Sequence, residues 1–327
     1  MRGIAALAAA LASAGALAQG APAFVVPLQC EIGKVCIVQN YVDRDPGPAA
    51  RDYRCGFLSY DGHKGTDIRV IDADAWRRGV PVLAADDGRV LAVRDGMPDV
   101  SVRALRPGVV TGREAGNSVI IDHGDGWETQ YAHLRRHSVA VRAGDLVSRG
   151  QPIGEIGLSG ETEFPHLHFE VRRNRQTVDP FVGAEGGEPC RAGARPLWAP
   201  DALAALAYTA TGVLGAGISG EPPAIGDWGL IGDGAVPFGR ASRAAVFWVQ
   251  IYGARAGDLE TLRLIGPDGR VLATRSARIP GERAQSLAYA GVRRRAGWAG
   301  GLYRGEYTLV RGGEKVLALA REVRLVP

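Results

Sequence analysis

The run Pro165-His166-Leu167-His168-Phe169-Glu170 alternates polar and apolar side chains, the pattern of a half-buried strand. Neighbouring side chains of a strand point to opposite faces. Leu167 and Phe169 would then enter a core while His166 and His168 share the open face. A sheet that carries two imidazoles side by side constrains fold and chemistry together. Upstream, His63 and Asp67 stand four residues apart in Gly62-His63-Lys64-Gly65-Thr66-Asp67-Ile68; on an extended strand they would project together. Taken alone, such a pair reads as an ordinary surface pair. Two strands side by side would bring all four groups to one point. Catalytic zinc takes three protein ligands from His and carboxylate and a water in the fourth position. Of four convergent candidates, one is therefore expected to be a catalytic group.

The rest of the chain is written in the same short-strand grammar. Strand patterns over Pro81 to Ala84, Gly88 to Val93, Ser118 to Asp122, Glu128 to His133 and Pro165 to Arg172 are separated by Gly turns, and no long amphipathic helix interrupts them. The fold class is all-β. Gly186-Gly187-Glu188-Pro189-Cys190 and Ala199-Pro200 read as a linker. Beyond it Ala202 to Tyr208 suggests a short helix, and residues 212–239 read as a Gly- and Pro-rich stretch without strands. Six strand patterns follow, from Ala244 to Val326, with hairpin signals at Pro267-Asp268-Gly269 and Arg311-Gly312-Gly313. Gly305-Glu306-Tyr307-Thr308-Leu309 resembles a late strand of an immunoglobulin-like sandwich. The expected division is a signal peptide at 1–18, an N-terminal extension at 19–50, a catalytic domain at 51–185, a linker at 186–200 and an accessory β-sandwich at 201–327. The last region contains no His and no catalytic constellation.

Between Cys55 and Phe181 the motifs occur in an order that resembles the lysostaphin and LytM type of zinc metalloendopeptidase. They include His63-Lys64-Gly65-Thr66-Asp67-Ile68, Gly116-Asn117-Ser118-Val119-Ile120-Ile121, Thr129-Gln130-Tyr131-Ala132-His133-Leu134, Gly150-Gln151-Pro152-Ile153-Gly154, the His-Leu-His-Phe-Glu run and Val178-Asp179-Pro180. The resemblance implies a compact antiparallel β domain of the duplicated-hybrid-motif type that cuts peptide bonds in peptidoglycan. It implies one Zn2+ held by His63, Asp67 and His168, with His133 and His166 as unliganded catalytic histidines. The chain has no His-Glu-x-x-His helix and so no evident Glu base; a near-neutral His is suited to orient or deprotonate water.

Two departures from the family pattern bear on specificity. Phe164, Glu161 and Glu163 occupy a usually small, Gly-rich turn before the His-x-His strand, and Arg94 to Ala115 is longer than the equivalent family loop. Long loops in compact domains often act as lids or binding loops, so this one is expected either to wall the cleft or to be a mobile surface insertion. His123 reads as a turn histidine and His137 as exposed. Thr129 and Tyr131 precede His133 by four and two residues and are expected to share its face.

The N-terminus sets the expected compartment. Met1-Arg2, an Ala/Leu-rich run from Ile4 to Leu17 and Ala16-Leu17-Ala18 form a secretory signal pattern, too short for the ~20 residues of a spanning helix. A periplasmic or secreted chain without a stable membrane span follows. Cys30, Cys36, Cys55 and Cys190 suggest two disulfides among three possible connectivities, with Cys30–Cys36 and Cys55–Cys190 the expected pairing. The net charge of +4 at pH 7 shows no basic cluster interleaved with aromatics, and no nucleic-acid partner is expected. The expected partners are peptidoglycan stem peptides and cross-links, with a protein partner for the C-terminal domain left open. Two rival readings are a non-catalytic LytM-like scaffold that activates other wall hydrolases and a zinc peptidase acting on Gly-rich proteins.

Overall fold

A computed structural model describes residues 20–223, 236–294 and 296–326; the expected signal peptide lies outside them. The first domain contains β1 (Cys36–Asn40), β2 (Thr66–Val70), the short helix α1 (Ala73–Arg78), β3 (Pro81–Leu83), β4 (Gly88–Arg94), β5 (Asn117–Gly124), β6 (Trp127–Leu134), β7 (Leu146–Val147), β8 (Pro152–Glu155), β9 (His166–Arg173) and β10 (Gln176–Thr177). One sheet runs β1-β2-β9-β6-β5-β4-β7, with β10 on β9, while β3 and β8 pair separately. Every one of these pairings is antiparallel. The alternation in β9 is realised: Leu167, Phe169 and Val171 are fully buried, joined in the core by Val119, Ile121 and Tyr131. Each such side chain contributes roughly 1.5–3 kcal/mol by leaving water. Helix α1 starts where the Asp72 carboxylate accepts the Ala75 N–H and stops at Gly79. Its Trp76 is buried and donates its indole N–H to the Ile156 carbonyl.

Helix α2 (Pro200–Ala205) leads into β11 (Gly212–Ser219), β12 (Ala244–Ala254), β13 (Leu259–Ile265), β14 (Val271–Arg278), β15 (Arg283–Arg293), β16 (Gly301–Arg311) and β17 (Glu314–Leu325). A sheet β11-β12-β15 faces a sheet β14-β13-β16-β17 across Phe247, Leu262, Leu264, Tyr303, Tyr307 and Leu309. With its strands lettered A to G in chain order, this sandwich is A-B-E against D-C-F-G. It is an immunoglobulin-like connectivity with the fourth strand on the C-F-G sheet. Strand β11 corrects the strandless reading of residues 212–239. Gly215 and Gly217 conceal it, because glycine is depleted in strands. Here the Trp248 ring lies where their side chains would be, its nearest atoms 3.3 Å and 3.0 Å from the positions of the missing Cβ atoms.

The segment read as an extension belongs to the first domain's architecture. It supplies edge strand β1, and Phe24 is buried between Phe169 and Trp198. Both expected disulfides form, Cys30–Cys36 and Cys55–Cys190. The sandwich is seated on the first domain. Tyr41, Tyr53, Phe181 and Tyr208 pack ring on ring, the Tyr208 hydroxyl donates to Asp52 Oδ2 at 2.9 Å, and Leu214 and Tyr252 of the sandwich belong to the same buried cluster. Among the described residues no helix is long and apolar enough to cross a membrane.

Candidate metal centre

Strands β2 and β9 pair so that Asp67 lies directly opposite His168. Directly opposed residues share a face, and His166, two residues from His168, joins them. His63 does not stand on β2 as expected. It lies in the turn before the strand, closed by its N–H to the Tyr60 carbonyl. Gly65 then lets the chain pass close to the site. A Cβ there would come within 2.6 Å of His168 Cε1. The His63 ring stacks on Tyr60 with centroids 4.3 Å apart.

His133 reaches the site through a break in alternation. On β6, Ala132 is opposite His168 and Tyr131 opposite Phe169, so a regular strand would turn residue 133 toward the core. The β5–β6 register instead shifts between its Val119–Tyr131 and Asn117–Leu134 pairs, and His133 adopts φ 61°. This bulge re-aims the side chain, bringing its ring to 4.7 Å from His166 and 5.9 Å from His168, centroid to centroid. Thr129 and Tyr131 are therefore not on the face of His133, contrary to the sequence expectation. Tyr131 is fully buried, its hydroxyl taking the N–H of Ala85 and the hydroxyl of Thr129.

Hydrogen bonds fix the rings. His63 Nδ1 lies 2.7 Å from the Tyr41 carbonyl, His133 Nδ1 2.8 Å from the Ser159 carbonyl and His166 Nδ1 3.0 Å from the Phe164 carbonyl. A carbonyl only accepts, so each Nδ1 carries a proton. The Ser159 carbonyl can approach because Gly116 (φ 60°) has no Cβ; one would lie 2.2 Å from it. Asp67 Oδ2 accepts from Asn40 Nδ2 at 3.0 Å, leaving Oδ1 toward the histidines. His63 Nε2, Asp67 Oδ1 and His168 Nδ1 form a triangle with sides of 3.1, 2.9 and 3.2 Å. Tetrahedral bonds of ~2.0–2.1 Å give donor separations of ~3.3 Å, so the triangle fits one face of a zinc-type coordination shell. His133, His166 and His168 form a second group with ligand atoms close enough to share an ion. His63, Asp67, His133 and His166 are buried, while His168 keeps 16% of its side chain exposed.

The electrostatics divide the histidines. Burial by itself pushes the Asp67 carboxyl upward, but the positive pull of His63 and His166 and hydrogen bonds from His166 and His168 hold it well below the usual carboxylate range. For His63 burial favours the neutral ring, and the Asp67 carboxylate overrides it, raising its pKa. His133 has no carboxylate so close. Burial first, and then repulsion from His166 and His168, hold it well below the usual imidazole range.

The other expected residues fall elsewhere. His123 Nδ1 faces the Asp87 carbonyl and Nε2 the Thr129 hydroxyl, its ring edge-on to Phe24; it is structural. His137 is exposed. The reading from sequence missed Asn40 and the carbonyls of Tyr41 and Ser159. Asn40 is 27 residues from its partner Asp67, and a backbone carbonyl carries no side-chain signal.

The profile of peptidase family M23 matches residues 61–180. Peptidoglycan DD-endopeptidase ShyB of Vibrio cholerae is 36% identical over 117 residues, which cover 36% of this chain and 22% of that protein. Cell division protein DipM of Caulobacter vibrioides is 32% identical over 127 residues, covering 38% of this chain and 18% of the other. The chain thus spans about a fifth of the length of these curated relatives. The crystal structure of a zinc containing peptidase from Vibrio cholerae is 29% identical, covers 44% of this chain and 39% of that one, and superposes with a TM-score of 0.28.

Proposed function

With residues 61–180 matching peptidase family M23, we propose that the chain is an exported, zinc-dependent endopeptidase that hydrolyses peptide cross-links of bacterial peptidoglycan. The observation that carries this reading is the donor triangle of His63 Nε2, Asp67 Oδ1 and His168 Nδ1 beside two further imidazoles. His63, Asp67 and His168 hold the metal; this set takes the one carboxylate of the site and leaves His133 and His166 free. Zinc bound there supplies a Lewis acid that polarises a scissile carbonyl and lowers the pKa of water to about 7. His133 stays neutral near pH 7, its Nδ1 proton committed to Ser159, so its Nε2 is a base that accepts a proton from the attacking water. His166, tied at Nδ1 to Phe164 and Thr162, presents Nε2 within 3.4 Å of Asp67 Oδ1. From there it orients the water, while the proton taken up by His133 passes to the leaving amine.

A groove of about 430 Å³ borders this site, shared by Arg103, Glu163 and Phe164 of the first domain and Gln250, Arg283 and Gln285 of the sandwich. Phe164 links the two, its ring 5.0 Å from that of His166, and the groove offers room for a stem peptide. The test is digestion of purified sacculi by the zinc-loaded chain, with fragments identified by mass. Loss of cross-linked fragments in favour of un-cross-linked ones, read after the glycan strands are cut with a muramidase, abolished by chelation and restored by zinc, is the expected result. Intact cross-links under zinc-loaded conditions would transfer support to the scaffold reading.

A further inference from the structure

An open cavity lies at one end of the sandwich, away from the histidines, and is lined by cations. It measures about 1150 Å³, and Arg240, Arg243, Arg293 and Arg294 border it together with Ser242 and Trp298. The two lining segments are tied together by their backbones. Arg294 N–H donates to the Arg243 carbonyl, Trp298 N–H to the Arg240 carbonyl and the Trp298 indole N–H to the Ser242 carbonyl. Trp298 is buried, and the Arg294 guanidinium sits 5.8 Å from its ring centre, a geometry that restrains the cation.

These arginines share one cavity and have no acidic partner among the described residues. On the opposite sheet Arg263, Arg275, Arg304 and Arg311 each meet a carboxylate. None of the four cavity arginines forms an ion pair among the described residues. Gathering unneutralised like charges costs self-repulsion, which a bound anion removes. Guanidinium forks match phosphate bidentately. Each phosphate group carries about −1.5 to −2 at pH 7, so a pair of phosphates balances four guanidinium charges, whereas a carboxylate balances one.

We propose that this cavity binds a ligand bearing two adjacent phosphate groups, through Arg240, Arg243, Arg293 and Arg294. The site is independent of the metal centre and of the hydrolytic reading. A diphosphate of this kind is presented either free in solution or as the headgroup of an anionic lipid.

The experiment is calorimetric titration of the full chain with inorganic pyrophosphate and with acetate, repeated on Asp67→Ala to exclude pyrophosphate binding at zinc. Wild type and Asp67→Ala should bind pyrophosphate alike and acetate not measurably. Arg243→Gln/Arg294→Gln should weaken pyrophosphate about 10- to 100-fold, since two of the four charge-assisted contacts are lost. These arginines are exposed, so the variant should fold, as checked by its thermal unfolding. Co-sedimentation with vesicles of a lipid carrying a diphosphate headgroup, against neutral vesicles, assigns the source. Binding to the former as well as to pyrophosphate indicates the headgroup, and binding to pyrophosphate alone the free ligand. No pyrophosphate binding by wild type, or equal binding by the double variant, would overturn the proposal.

Discussion

Asn40 shows how much of the site depends on residues that touch no substrate. By donating to Asp67 Oδ2 it holds the other carboxylate oxygen among the histidines. Partners of this kind typically change metal affinity 10- to 100-fold. Asn40→Ala should weaken zinc by about that range without unfolding the chain, measured by competition with a chromogenic chelator; unchanged affinity would show that Asp67 is held by the histidines alone. The histidines themselves should separate by role. His168→Ala should lose both zinc and wall hydrolysis. His133→Ala should retain zinc and lose ~10²–10⁴-fold in rate, the usual weight of a general acid or base. Zinc content and hydrolysis measured on the same preparations decide this, and metal loss in His133→Ala as complete as in His168→Ala would make the second histidine group the binding set.

Between β4 and β5, the long loop clamps the segment that delivers His166. Asp99 accepts the N–H of Leu158 and of Arg136, Val102 N–H donates to the Thr162 carbonyl, and Arg103 pairs with Glu163. These contacts hold residues 157–164, which carry the Ser159 carbonyl for His133 and Phe164 beside His166. Replacing residues 103–112 by a short Gly-Ser turn spares the Asp99 and Val102 anchors and removes the outer wall. The expected outcome is unchanged zinc content with an altered ratio of rates on cross-linked wall and on short peptides. An identical ratio would mean the loop is a surface insertion without influence on access.

The whole molecule is a domain carrying the candidate metal centre and a sandwich, held by a shared core and a covalent tie. Cys55–Cys190 spans 135 residues and encloses the segment from His63 to His168, whereas Cys30–Cys36 spans 6. In the chain-entropy account the longer closure constrains the unfolded chain by roughly 5 kcal/mol and the shorter by roughly 2 kcal/mol. Cys55→Ala/Cys190→Ala should therefore lower the urea midpoint more than Cys30→Ala/Cys36→Ala. The reverse order would place the stabilisation in native contacts around β1 and not in the closed loop.

Local periodicity made the all-β class, strand β9 and its two outward imidazoles legible, because alternation is a property of neighbouring residues. Cysteine number and position led to the pairing that the structure contains, since four cysteines leave few arrangements. Non-local features needed the fold. The bulge that turns His133 out of the core is set by the register of β6 against β5, not by anything at positions 131–134. Asn40 reaches Asp67 only because β1 pairs with β2. Strand β11 was hidden by Gly215 and Gly217, whose missing side chains are replaced by Trp248 from the next strand. The four arginines of the sandwich cavity fall in two segments some fifty residues apart, and only the pairing of Ala244 with Arg293 brings their charges together. Side-chain chemistry and local alternation are written along the chain; register, bulges and the company a charge keeps are decided by strands meeting across it.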